Sequence, residues 1–169
     1  MIRYQAARSK ANSVLNMFNV GDAPVDVVLI AEKLGFKVVP FDFPDTMSAV
    51  VRIYEDGKKV IGINKKQSEV RQRFSIAHEL GHYLSGHESY NHDQIVVDPE
   101  RRYQDPSFQA EQEADEFAAE LLMPSRLLKK DFSASQVSIT GLAKRYNVSE
   151  QAMWIQIVNL ELVVETVAF

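Results

Sequence analysis

Apolar residues recur at helical spacing in the first part of the chain. Over residues 2–18 they fall every three or four positions, which predicts an amphipathic helix. Gly21 and Pro24 then interrupt the pattern. Because proline is tolerated in the first turn of a helix, a second helix is predicted over residues 25–34, and Gly35 suits its C-terminal end.

The next segment has the composition and spacing of β-strands. Strands are predicted over residues 36–41, 47–54 and 59–63. The run at residues 55–58 is a typical hairpin turn. We therefore expect a small antiparallel three-stranded sheet, in which Pro40 places the first strand at an edge or ends it.

Helical periodicity returns in the second half of the chain. Residues 68–86 and 108–123 predict two long helices, and the polar stretch between them is expected to be a loop. Residues 125–130 predict a short helical turn. Residues 138–160 have the pattern of two helices joined by a short turn, as in a helix-turn-helix. The predicted fold class is therefore α+β, with the sheet packed on helices.

The amino-acid composition excludes several kinds of functional site and binding partner. The chain has 169 residues and a net charge of −4, which argues against general affinity for nucleic acids or anionic membranes. It has no cysteine, so a disulfide framework and a thiolate zinc site are both excluded, and a metal would need histidine or carboxylate ligands. No signal peptide and no apolar run of roughly 20 residues is found, so we expect a cytoplasmic protein that makes no membrane contact.

The strongest chemical signal is a pair of histidines in the first long helix. His78 and His82 are four residues apart and so share one face, where both imidazoles can bind one divalent ion. Glu79 follows the first histidine and can take a proton from a water beside the ion. This is the H-E-x-x-H arrangement of zinc hydrolases. A hydrogen-bonded pair in the core is the alternative, but burying two imidazoles is costly.

The third ligand is expected from the second long helix, which is rich in carboxylates. At about 100° per residue, Glu111 lies nearest the apolar face and is our choice, with Glu113 as the alternative. Asp115 lies one turn further on and is expected to accept a hydrogen bond from a metal-binding histidine. Glu116 and Glu120 point away and are expected to be solvated.

Two histidines and one glutamate leave a coordination position open, as in catalytic zinc sites. We expect zinc, with manganese as an alternative, to activate a water that attacks a peptide carbonyl, while Glu79 acts as general base. His87 and His92 are expected to be solvent-exposed rather than ligands, with the alternative that His87, at the end of the helix, lies near the metal and supports the site without binding the ion. Residues 47–54 are the candidate strand for binding an extended substrate, with a simple packing hairpin as the alternative.

Candidate groups for stabilising the oxyanion lie in the loop between the long helices: Tyr90, His92, Arg102 and Tyr103.

Three runs of the chain resemble a known family. Residues 73–82, 111–124 and 142–149 occur in the order and spacing of the ImmA/IrrE-type metallopeptidases. The resemblance covers about residues 25–160. It implies a gluzincin-like zinc peptidase of the cytoplasm that cleaves a helix-turn-helix repressor of the XRE type.

The resemblance also implies roles for particular residues. His78, His82 and either Glu111 or Glu113 would bind the metal, and Glu79 would be the base. Residues 1–130 would form a minimal zinc metallopeptidase domain, with the helix-turn-helix-like segment 131–169 packed on it as a single compact unit.

Two other functions compete with peptidase activity. A non-catalytic protein-binding module, such as the toxin or regulator of a repressor-linked gene pair, would use the same fold. A DNA-binding regulator is suggested by the helix-turn-helix pattern. However, residues 150–160 contain no lysine or arginine to read DNA, so we expect this unit to pack or to bind protein.

Overall fold

A computed structural model describes residues 2–87, 106–133 and 138–162. These residues form seven helices and three strands, which confirms the α+β class. The elements in chain order are α1 (Ile2–Met17), α2 (Val27–Lys33), β1 (Phe36–Phe41), β2 (Ala49–Ile53), β3 (Lys59–Asn64), α3 (Glu69–Ser85), α4 (Pro106–Leu122), α5 (Ser125–Ser133), α6 (Ile139–Tyr146) and α7 (Glu150–Asn159).

Short polar residues set the start of several helices. Asp26 accepts a hydrogen bond from the backbone N–H of Leu29 at 3.0 Å, so α2 begins at Val27, two residues later than predicted. Serine side chains cap α3, α6 and α7 in the same way, each accepting from the N–H three residues on. These local hydrogen bonds satisfy backbone donors that the first helical turn leaves free.

The sheet is mixed, so the expectation of a wholly antiparallel sheet is wrong. Its strand order is β1-β3-β2. β2 and β3 form the predicted antiparallel hairpin, whereas β1 pairs in parallel with β3, with Phe36 opposite Lys59. The chain reverses direction twice between β1 and β3, so these two strands point the same way. They become neighbours because β3 carries the most buried residues of the sheet, Ile61 among them, and occupies the centre.

Helix α4 is packed between α1 and α3. α4 comes close to α3 at Gly81, where an added Cβ would lie 3.0 Å from Cα of Ala114. The missing side chain of this glycine is what lets the two backbones approach. One apolar cluster joins residues from every helix and from the sheet, with Phe117, Leu121 and Ile76 among its most buried members.

The C-terminal helices share that core. Tyr146 of α6 and Met153 of α7 are fully buried in the same cluster. The Arg73 guanidinium donates to the backbone oxygens of Asn147 at 3.1 Å and Val25 at 2.8 Å, which ties the turn between α6 and α7 to α3. The helix-turn-helix-like unit therefore packs on the rest of the described chain. The proposed division near residue 130 stays a prediction.

Asp131, near the end of α5, holds α6 in place. Its carboxylate accepts hydrogen bonds from Arg145 Nε and Tyr146 Oη, each at 2.7 Å. Burial raises the pKa of Asp131, but these two hydrogen bonds and the arginine charge outweigh it and hold the pKa below its usual 3.8. The ionised carboxylate is thus part of the contact between the two helices.

Candidate metal centre

Two imidazoles meet on the face of α3 that is turned toward α4. Their Nε2 atoms, of His78 and His82, lie 2.9 Å apart. His82 is buried, with 4% of its surface exposed. The helical spacing of four residues brings the rings together, as the sequence predicts.

Helix α4 adds a carboxylate to this pair. Glu111 places Oε2 at 3.2 Å from His78 Nε2 and Oε1 at 3.2 Å from His82 Nε2. One donor atom from each of the three residues falls within 4.8 Å of the others. Ligands of a tetrahedral zinc ion lie roughly 3.3 Å apart, so the chemistry and spacing of this trio suit such an ion with only small adjustments.

Asp115 contacts the far side of the first histidine. Its Oδ1 lies 2.8 Å from His78 Nδ1, so it can accept a hydrogen bond from the Nδ1–H and orient the ring with Nε2 toward Glu111. Burial lowers the pKa of His78, but hydrogen bonds to Asp115 and Glu111 and the charges of both carboxylates outweigh it and raise the pKa to about 9. The surroundings therefore stabilise positive charge at this point, which also favours a metal cation.

Glu79 lies beside the first histidine on α3. It is 5% exposed, so its carboxylate is removed from bulk solvent. An acidic residue directly after the first histidine of H-E-x-x-H is the one expected to act as general base. Its role, like the ligand roles of the trio, remains a prediction.

Glu113 is close to the trio without belonging to it. Its Oε2 lies 3.3 Å from His87 Nε2. His87 itself has only 13% of its side chain exposed, so the expectation that it is solvent-exposed is wrong. Gly86 ends α3 with a left-handed φ of 73° and turns the following residue back toward the helix.

His92 and the other candidate oxyanion donors, Tyr90, Arg102 and Tyr103, lie outside the described residues.

The expectation of a solvated face for Glu116 and Glu120 is also wrong. Glu120 is 1% exposed, and its Oε1 accepts hydrogen bonds from Asn12 Nδ2, Ser125 N and Ser125 Oγ. Glu116 is partly buried and binds Arg8 Nε at 2.9 Å. Both glutamates face α1, whose packing against this side of α4 the helical wheel alone does not predict.

Comparison with known proteins places the chain in a family. The model of the IrrE N-terminal-like domain, a peptidase family, matches residues 31–156. The chain belongs to this family. This membership confirms the resemblance seen in the sequence motifs and supports a metallopeptidase-like role.

A solved structure shares the fold. It is described as a Mycobacterium tuberculosis transcriptional regulator and matches with a TM-score of 0.65 at 20% identity. The match covers 88% of this chain but 45% of the other, so the chain spans less than half the length of that regulator. No curated protein sequence matches the chain significantly.

Among the described residues, none of the helices is both long enough and apolar enough to cross a bilayer.

Proposed function

We propose that the protein is a zinc-dependent endopeptidase that cleaves a helix-turn-helix repressor. The observation that carries this proposal is the trio of His78, His82 and Glu111, which has the composition of a catalytic zinc site, in a chain of a peptidase family. The repressor as substrate follows from the sequence resemblance to ImmA/IrrE-type peptidases. The structural neighbour is a transcriptional regulator, which is consistent with a role in transcriptional control.

In this proposal the trio holds the ion and Glu79 moves the proton. When bound, zinc lowers the pKa of water and polarises a carbonyl. Glu79 accepts a proton from the attacking water and delivers it to the amine that leaves. Asp115 accepts a hydrogen bond from the Nδ1–H of His78 and so holds the ring with Nε2 directed at the site.

β2 is the candidate strand for binding an extended peptide. This strand pairs with β3 on one side, and within the described ranges no strand pairs with its other side. Ser48 Oγ, just before β2, accepts hydrogen bonds from Gln67 at 3.0 Å and Arg71 at 3.2 Å, which fixes the strand beside the start of α3. Because an edge strand leaves backbone groups unpaired, we propose that the substrate adds to β2.

The test is cleavage of the repressor encoded next to the gene. Zinc-loaded and manganese-loaded protein are incubated with the purified repressor, and the products are identified by mass spectrometry. We expect Glu79→Gln to reduce cleavage by about 10²–10⁴-fold while the protein still binds zinc. Glu116→Gln is the matched control, because it removes one carboxylate outside the trio.

Two results would count against the proposal. Absence of cleavage with either metal argues against a peptidase that acts on this repressor. Repressor binding that is equally tight in the wild type and in Glu79→Gln, without cleavage in either, would favour a non-catalytic binding module.

A further inference from the structure

The imidazole of His87, just after α3, contacts the imidazole of His82, one of the two histidines in the trio. Gly86 turns the chain, and the backbone N–H of His87 donates to the carbonyl of His82 at 2.9 Å. The two imidazole rings then lie with their centroids 5.4 Å apart, at an angle of 67°. Their Nδ1 atoms are 3.3 Å apart, within hydrogen-bonding distance.

This contact requires the two Nδ1 atoms to play different roles. A hydrogen bond between two imidazole nitrogens needs one N–H donor and one lone pair, so one ring donates through its N–H and the other accepts with its lone pair. The roles in this pair depend on what lies on the other side of His87, because the two nitrogens of a neutral imidazole are a donor and an acceptor.

The contact between Glu113 and His87 decides which of the two imidazoles donates the hydrogen bond. Oε2 of Glu113 lies 3.3 Å from Nε2 of His87, and an ionised carboxylate can only accept. The Nε2 atom of His87 therefore carries the proton, and its Nδ1 presents a lone pair. The Nδ1–H of His82 donates into that lone pair, and in the metal-free protein the Nε2 of His82 accepts from the Nε2–H of His78, 2.9 Å away.

We propose that Glu113 and His87 are a positioning pair that holds His82 in the Nδ1–H tautomer and so directs its Nε2 lone pair at the metal. The inference rests on the metal site of the proposed function. It gives Glu113 a role other than that of a ligand. The two metal-facing histidines are then supported differently, His78 by a carboxylate directly and His82 through a second imidazole.

The first experiment reads the tautomer without metal. Protein with ¹⁵N-labelled histidine is freed of metal, and long-range ¹H–¹⁵N spectra distinguish protonated from unprotonated ring nitrogens. For the wild type we expect Nδ1 of His82 to be protonated and Nε2 to be unprotonated. In Glu113→Ala and His87→Ala this preference should be lost, giving a mixture of both tautomers. A wild type in which His82 carries its proton mainly on Nε2 would overturn the proposal.

The second experiment measures zinc affinity by competition with a chromophoric chelator. We expect Glu113→Ala and His87→Ala to weaken zinc binding by about 10–100-fold, as loss of an outer hydrogen-bond partner does at other sites. Glu113→Gln keeps an acceptor oxygen for the Nε2–H of His87 and should retain most of the affinity. Glu116→Ala, which removes the same charge from the same helix, should have little effect.

The outcomes separate this inference from the metal site itself. If Glu113→Ala weakens zinc binding no more than Glu116→Ala does, the positioning role is refuted. If Glu113→Gln is as weak as Glu113→Ala, the effect is one of charge and the hydrogen-bond argument fails. If the wild type shows the expected tautomer but takes up no zinc, the hydrogen-bonded chain is upheld and the metal site of the proposed function is refuted.

Discussion

The close contact between α3 and α4 makes Gly81→Ala a sensitive test of how the site is assembled. An added Cβ would lie 3.0 Å from Cα and 3.1 Å from the carbonyl oxygen of Ala114, and 3.1 Å from Cβ of Phe117. Ordinary contacts between carbon atoms are about 3.5–4.0 Å. The nearest atoms belong to the backbone of a buried helix, so the two helices must move apart by roughly 0.5 Å.

Two opposing terms set the effect on stability. Replacing a glycine within a helix by alanine favours the helix by about 1 kcal/mol. Overpacking a buried contact costs about 1–3 kcal/mol. The net destabilisation is therefore expected to be about 0–2 kcal/mol, which leaves a folded protein.

The effect on the site should be larger than the effect on stability. α3 carries both histidines and α4 carries Glu111, so a relative shift of the helices separates the ligands directly. Binding sites generally require their groups to be held within about 0.5 Å. We expect zinc affinity to fall at least about 10-fold, although circular dichroism still shows the native helix content.

Zinc competition and urea unfolding of the same samples provide the assay. Gly21→Ala is the control, because an added Cβ there meets nothing within 4 Å. Adding Ala114→Gly to Gly81→Ala should not restore binding, since the clash is with backbone atoms of Ala114. A Gly81→Ala protein that is about 1 kcal/mol more stable and binds zinc like the wild type would refute the reasoning.

Three further predictions concern carboxylates. Asp115→Asn should weaken zinc binding by about 10–100-fold, because an amide orients His78 less firmly than a carboxylate; unchanged affinity in chelator competition would contradict this. Glu120→Leu should cost about 1–3 kcal/mol in urea unfolding, because it leaves buried donors without their acceptor, while Glu116→Leu should cost less. Asp131→Asn should cost about 1 kcal/mol near neutral pH. Because the folded pKa of Asp131 lies below its unfolded value of 3.8, that stabilisation is full above the unfolded value and is lost as pH falls through the folded one. Urea unfolding from about pH 6 to about pH 3 should therefore show the difference shrinking, and a constant difference would contradict it.

Periodicity alone accounts for much of the architecture. The helices and strands follow from apolar spacing and from capping serines, which act over three or four residues. His78 and His82 are brought together by the same local rule, since helical geometry fixes residues four apart on one face. The choice of Glu111 over Glu113 also followed from the apolar face of α4, because that face must be turned toward α3.

Contacts between segments that are far apart in the chain could not be predicted from the sequence. Strand order depends on which strand is most buried against the helices, so the parallel pairing of β1 with β3 is not visible in the pattern of any single strand. The burial of Glu120 depends on where α1 packs, and a helical wheel of α4 has no information about that neighbour.

The sequence by itself determined the elements, the family and the histidine pair, because each depends on interactions within a few residues or on motifs of fixed spacing. Only the tertiary structure decided how closely α4 meets α3, and hence the distances from Glu111 to the two imidazoles and the contact of Glu113 with His87. The physical reason is that these contacts join residues about thirty positions apart, and their geometry is set by the packing of whole helices at a glycine.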